Sequence, residues 1–443
     1  MNAALRRLAF GIGLAVTATA ALLVRGDGPL PNDADLMAVP APVADHQNGF
    51  ILLSAAAELL RWPQQPAEDA RWMGLARGES WDDAVAARAV AANDRAIDAL
   101  ARVVRAPAFQ TPPVRDIRSD ALPDLLSWLR LAKASAIRAI AEARRGDTNA
   151  ALADAWLALR VSQRMSRDEN ATVMHAAFAQ SVGAAGLDAL EVTLPYLSLD
   201  AARSRELAAQ LESLHTDTDA WKRMWAGEYR ALRASLLACC DAAQARELAA
   251  EHAAPGFALW LPRAYLYQPN NSLKLYGARI RLRQMRAEQA YVPEAAESLA
   301  SSPLTVLLPN YLGKLRVAQS AQLAWIDARR RQFDTRVEAA RAAIALRAFE
   351  RERGTLPPSL EALVPTYLGS VPRDWFSESA LRLDRRERMV YSVGSDGVDN
   401  GGRPIDGDHG LLEPRFPLLE PGEPASADES SRATLPGFDG PHS

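Results

Sequence analysis

Oxygen donors crowd one short stretch near the C-terminus, where Asp396, Asp399, Asn400, Asp406 and Asp408 fall within 13 residues. Calcium takes about six to eight hard oxygen ligands in flexible geometry, which clustered carboxylates, amides and loop carbonyls supply. Gly397, Gly401, Gly402 and Gly407 lie among them and let a backbone bend around an ion. Their spacing is not that of the EF-hand loop. The same residue types also suit an acidic turn in which Asp and Asn cap local amides. These five residues are the candidate metal ligands, with calcium as a structural cofactor.

Other chemistry is sparse. The histidines are His46, His175, His215, His252, His409 and His442, and none forms a His-Glu-x-x-His pair or sits beside a cysteine cluster. No Gly-x-Ser-x-Gly elbow, P-loop or dinucleotide fingerprint is present. His175, next to Ala176, Ala177 and Phe178, reads as a satisfied core histidine. Glu68-Asp69 and Asp82-Asp83 read as solvated helix starts, where carboxylates meet the positive end of the helix dipole. Cys239 and Cys240 are adjacent, too close for an unstrained disulfide, and read as two thiols buried in a helix.

The elements that position these residues follow from composition. The chain has 443 residues, 49% apolar and 24% charged, with a formal net charge of −3, so it is globular and offers nucleic acid no electrostatic footprint. Of its 86 alanines, 81 precede residue 355 and five follow it. Alanine loses no side-chain entropy on ordering into a helix, so the body is predicted to be helical and the last fifth not. Leu8 to Val24 is 17 residues without a charge, preceded by Arg6-Arg7, which predicts a membrane anchor with a cytoplasmic N-terminus. Ala18-Thr19-Ala20 also fits a signal-peptide cleavage site. Either way the body is exported.

Pro29, Pro31, Pro40 and Pro42 make residues 26–45 a linker. Between Asp124 and Met165, the apolar residues Leu125, Leu129, Ala132, Ala136 and Ile140 share one helix face. Gly146 and Asp147 then stop that helix and cap the next, which presents Leu152, Trp156 and Leu159. Two helices so joined pack antiparallel, as in a tetratricopeptide-type hairpin, although no second copy recurs at a fixed period. The longest pattern runs from Gly313 to Arg353, with Ile326, Phe333, Val337, Ala340, Ile344 and Ala348 on one stripe and arginines on the remainder. Such a helix would span about 60 Å.

After Gly354 come Leu356-Pro357, a short helix ending at Val364-Pro365, and Val371-Pro372-Arg373-Asp374-Trp375. Two candidate strands follow, Ala380 to Asp384 and Arg388 to Val393, then Gly394-Ser395-Asp396-Gly397. This order, over residues 340 to 402, resembles the C-terminal half of the type II secretion major pseudopilin. The resemblance implies that the final loop holds a stabilising calcium ion, with Asp396 and Asp399 matching its acidic positions. Here, however, no glutamate follows a processing site in the apolar segment, and a helical body separates that segment from the cap. A filament-forming pilin is therefore not implied.

The expected fold is mainly α: a multi-helix bundle with tetratricopeptide-like antiparallel hairpins, a long connecting helix and a small α+β, pseudopilin-like cap with a β-hairpin. The boundaries read as 1–25 anchor or signal peptide, 26–45 linker, 46–312 helical body, 313–355 long helix, 356–410 cap and 411–443 disordered tail. Two functional readings follow. One is a non-enzymatic scaffold, anchored in the inner membrane through residues 8–24, with its body in the periplasm and a groove for an envelope protein or peptide. No catalytic motif argues against it, and the cap ties it to secretion or pilus-type machinery. The alternative is an exported hydrolase-type enzyme whose catalytic residues are scattered.

Overall fold

The computed structural model describes residues 26–115, 124–237, 263–292, 309–319, 323, 325–402 and 414–423. Leaving single turns unlabelled, the helices are α1 (Gly49–Glu58), α2 (Pro66–Leu75), α3 (Asp83–Arg105), α4 (Leu125–Arg144), α5 (Thr148–Ser166) and α6 (Val173–Thr193). They continue as α7 (Ala201–Glu212), α8 (Thr218–Leu237), α9 (Pro269–Arg286), α10 (Tyr311–Gln319) and α11 (Trp325–Arg353). The strands β1 (Arg382–Asp384), β2 (Met389–Tyr391) and β3 (Arg415–Pro417) form an antiparallel sheet in the order β1-β2-β3. The chain is mainly helical, as its alanine distribution requires.

Helix starts are set by side chains. Asn48, Asp82, Asp124, Asp147 and Asp200 each accept a backbone N–H from the first turn of the helix that follows, satisfying donors that have no partner inside the helix. At the α4–α5 turn Gly146 takes φ +85°, a left-handed stop that a side chain would strain. Helices α4, α5 and α6 then pack against one another, with Leu131, Ile137, Ala155, Val182 and Leu190 at 2% exposure or less.

α11 departs from expectation in two ways. The 313–353 run is not one helix: α10 ends at Gln319, Leu323 is in a 3₁₀ turn, and α11 starts at Trp325. At 29 residues α11 is about 43 Å long. Its arginines are not on a solvated face either. Arg330, Arg331, Arg336 and Arg341 are all buried, along with nearly every residue from Ile326 to Leu346. The helix threads the molecule: Ile326 belongs to a core with α8 and α9, while Phe333 to Ala348 belong to the larger core with α3 to α7 and the cap. Ala339, Ala340, Ala342, Ala343 and Ala345 are small enough for neighbours to close on every side.

Two flanking segments are also more ordered than their composition predicts. In the 26–45 linker, Leu36 is 1% exposed, and Asp33 accepts hydrogen bonds from Tyr229 Oη (2.9 Å) and Arg233 Nε (2.8 Å). The segment is a strap along α8 and α9. In the expected tail, Arg415–Pro417 pairs with β2, and Phe416 is fully buried opposite Val390. One buried aromatic between prolines is too short a signal to overcome the Pro, Glu and Ser around it. Residues 8–24, the adjacent cysteines and the rest of the tail lie outside the described residues. Among the described residues, no helix is long and apolar enough to cross a membrane.

Candidate functional site

The acidic loop places its carboxylates in local turns. Asp396 accepts from Val398 N (2.9 Å), and Asp399 accepts from Gly401 N (3.0 Å) and lies 3.3 Å from Arg382 Nε. Asp396 and Asp399 are exposed and Asn400 is half-buried, so their oxygens remain within reach of a cation from solvent. Asp406 and Asp408 lie outside the described residues. Among the described residues, no group of three or more His, Cys, Asp or Glu is placed to hold a metal.

What stabilises this part of the cap is Asp374, which is 2% exposed. It accepts from Phe376 N (2.9 Å), Ser392 Oγ (2.9 Å) and Val393 N (3.1 Å). The Val-Pro-Arg-Asp-Trp and Tyr-Ser-Val-Gly pieces of sequence are thus held together by one buried carboxylate.

The histidines are engaged structurally. His175 closes a capping box at the start of α6, its Nδ1 3.2 Å from Thr172 N. Burial pushes its imidazole down to about 4, so it stays neutral at physiological pH. His215 Nε2 lies 2.8 Å from Glu338 Oε1, and Arg341 Nη1 donates to both Glu338 oxygens at 2.6 and 2.8 Å. Burial alone would push the Glu338 carboxyl up, but His215 and Arg341 outweigh it and hold it below its usual range. Arg373 N also donates to Glu338, at 3.3 Å, and Trp375 packs edge-on to His215. This His, Glu and Arg set seats the cap on α11. Glu338 is 3% exposed and its oxygens are taken up by these partners, so it offers no open base.

The roomier site lies where the end of α9 meets the start of α11. A cavity of about 220 Å³ is lined there by Arg283, Arg286, Tyr291, Asp327, Arg330 and Arg331, with Ala287, Gln289, Ala290 and Val292 completing the wall. The α9 exit supplies carbonyls: Arg330 Nη1 donates to Ala287 O (3.2 Å) and Arg331 Nη2 to Gln289 O. Guanidinium groups suit this place because the carbonyl end of a helix carries partial negative charge. Asp327 accepts from Arg283 Nη1 (2.6 Å) and Trp221 Nε1 (2.9 Å). Burial pushes the Asp327 carboxyl up against the pull of Arg283.

Arg331 stands apart. It is 6% exposed, its guanidinium lies over the Trp375 ring at 5.6 Å, and among the described residues no carboxylate pairs with it. Burial pulls its pKa down, with the charge of Asp334 acting against that pull. The lining holds four arginines to one aspartate. Its carboxylate, Asp327, is the lining group that could act as a base, and it is engaged by Arg283 and Trp221. Planar guanidinium forks match carboxylate and phosphate oxygens bidentately, so four of them along one wall suit an anionic group.

Sequence reasoning missed these residues because Arg329 to Arg331 looked like the polar face of a helix. Nothing in the run itself marked them, since Asp327, Asp334 and Glu338 stand three or four residues from Arg330, Arg331 and Arg341, the spacing of an ordinary ion-paired helix face. No family model, curated protein or solved structure matches the chain.

Proposed function

We propose that the protein is an exported, inner-membrane-anchored interaction module of the cell envelope. Its α9–α11 cleft grips an acidic group on a protein or peptide partner. The observation that carries this reading is Arg331, a buried cation at the cleft wall with no carboxylate of its own among the described residues. Buried charges are stable only when paired, and a partner's carboxylate supplies the missing charge. The engagement of Asp327 by Arg283 and Trp221 favours binding over hydrolysis. The anchor rests on the apolar 8–24 run, and the link to secretion or pilus-type machinery rests on the resemblance of the cap. Tetratricopeptide-like character of the α4–α5 hairpin is part of the same reading.

Capture of the full chain from native membranes in mild detergent tests it. Recovery of secretion or pilus assembly components supports the reading; recovery of unrelated abundant proteins alone contradicts it.

A structural calcium ion in the 396–408 loop is the second element of the proposal. Asp396, Asp399 and Asn400 would contribute oxygens, and Asp399 would exchange Arg382 for the ion. Calcium is then expected to raise the thermal unfolding midpoint of the full chain, with the gain lost in Asp396→Asn. A midpoint identical in calcium and in chelator would sink this element.

A further inference from the structure

We propose that α9 lies along the surface of an anionic lipid bilayer, its exposed apolar stripe entering the boundary between headgroups and acyl chains. This rests on the membrane anchoring proposed above. Leu275, Ala278, Leu282 and Met285 recur at helical spacing on the face of α9 turned away from α8 and α10. Leu275, Leu282 and Met285 are 43%, 41% and 58% exposed.

The stripe is concentrated in one region. Among the described residues ten large apolar side chains are strongly exposed, and five of them lie on α9 or next to it: Leu30, Leu275, Leu282, Met285 and Val292. Contiguous exposed apolar surface marks a contact site.

The chain's own path says what covers it. Asp27 caps the first turn of α9, accepting from Asn270 N (2.8 Å) and Asn271 N (3.0 Å), and Gly28 O accepts from Asn270 Nδ2 (2.7 Å). The apolar run ends at Val24, and three extended residues reach only about 10 Å. An anchor ending there brings the start of α9 to the membrane surface.

Charge selects the lipid. Residues 269–286 hold no acidic residue; Arg283 is buried against Asp327 and Arg281 pairs with Asp35 of the strap, which leaves Lys274 and Arg286 as the exposed cations of the helix. A helix with an apolar stripe and basic flanks settles in an anionic interface, its apolar side entering about 5–10 Å.

The test uses the full chain, with Cys239→Ser and Cys240→Ser, reconstituted into phosphatidylcholine and phosphatidylglycerol vesicles. An environment-sensitive fluorophore is attached through Leu275→Cys, Met285→Cys or, as a reference on α4, Leu126→Cys, which is 44% exposed in the native chain. Lipid carrying a shallow quencher is expected to cause loss of emission from the 275 and 285 positions but not from 126. Quenching is expected to weaken in phosphatidylcholine alone. If the chain survives an alkaline carbonate wash of the vesicles but 275 and 285 are quenched no more than 126, the α9 contact is overturned while the anchor stands. If the wash removes the chain, the anchor falls and the α9 contact with it. A blue shift that grows with protein concentration without vesicles identifies a second copy as the occupant and also overturns the inference.

Discussion

His175 and Asp168 flank the turn between α5 and α6, and burial shifts them with opposite consequences for stability. His175 is depressed from 6.5 to about 4, so the folded state resists its protonation, and stability is lost as pH falls from 6.5 towards 4. Asp168 is raised from 3.8 to about 6, chiefly by burial and despite hydrogen bonds from Thr111. Its ionisation therefore costs stability as pH rises from 3.8 through 6. At about 1.4 kcal/mol per pH unit, each contributes about 3 kcal/mol, and across the shared window the two largely offset. Urea unfolding between pH 4 and 7 checks this. Relative to the native chain, His175→Gln is expected to gain stability on acidification and Asp168→Asn to lose it. Two variants that run parallel to the native chain would contradict the assignment. Neither shift was legible in the sequence: the core position of His175 follows from its apolar neighbours, but Asp168 depends on Thr111, 57 residues away.

At the scale of elements, α8 crosses the α5–α6 turn at Gly227. A Cβ there would lie 2.0 Å from the carbonyl oxygen of Ala171, and that contact is with backbone, which cannot swing aside. The next residue, Glu228, is buried and accepts from Val173 N at 3.0 Å, capping α6. Gly227→Ala is therefore expected to cost about 3 kcal/mol, whereas Gly369→Ala, where an added methyl would meet nothing within 4 Å, is expected to be near neutral. Equal midpoints for the two variants would contradict the close crossing. Most elements themselves were legible. Asp82 and Asp147 announced helix starts, Gly146 announced a stop, and the β-hairpin followed from two short strand candidates either side of a charged turn. What sequence periodicity could not show was the environment of α11. A helix buried on all sides has no polar face, so the stripe from Ile326 to Ala348 described only one of its contacts. The arginines on its other sides were read as solvated because their partners, Asp188 for Arg336 and Glu212 for Arg341, lie on α6 and α7.

At the scale of the whole molecule, α11 joins two cores, the cap closes over one end through Glu338 and Asp374, and the N-terminal strap ties α8 and α9 to the chain's apolar beginning. The acidic loop was visible from sequence as a cluster, whereas the basic cleft was not, because its arginines come from separate helices 40 or more residues apart. That cleft carries the central claim. The most direct measurement is capture of the full chain from native membranes in mild detergent, comparing the native protein with Arg331→Gln at matched expression and matched thermal midpoint. The account predicts that secretion or pilus assembly components are recovered with the native chain and lost with Arg331→Gln. Equal recovery of the same components by both chains would contradict it.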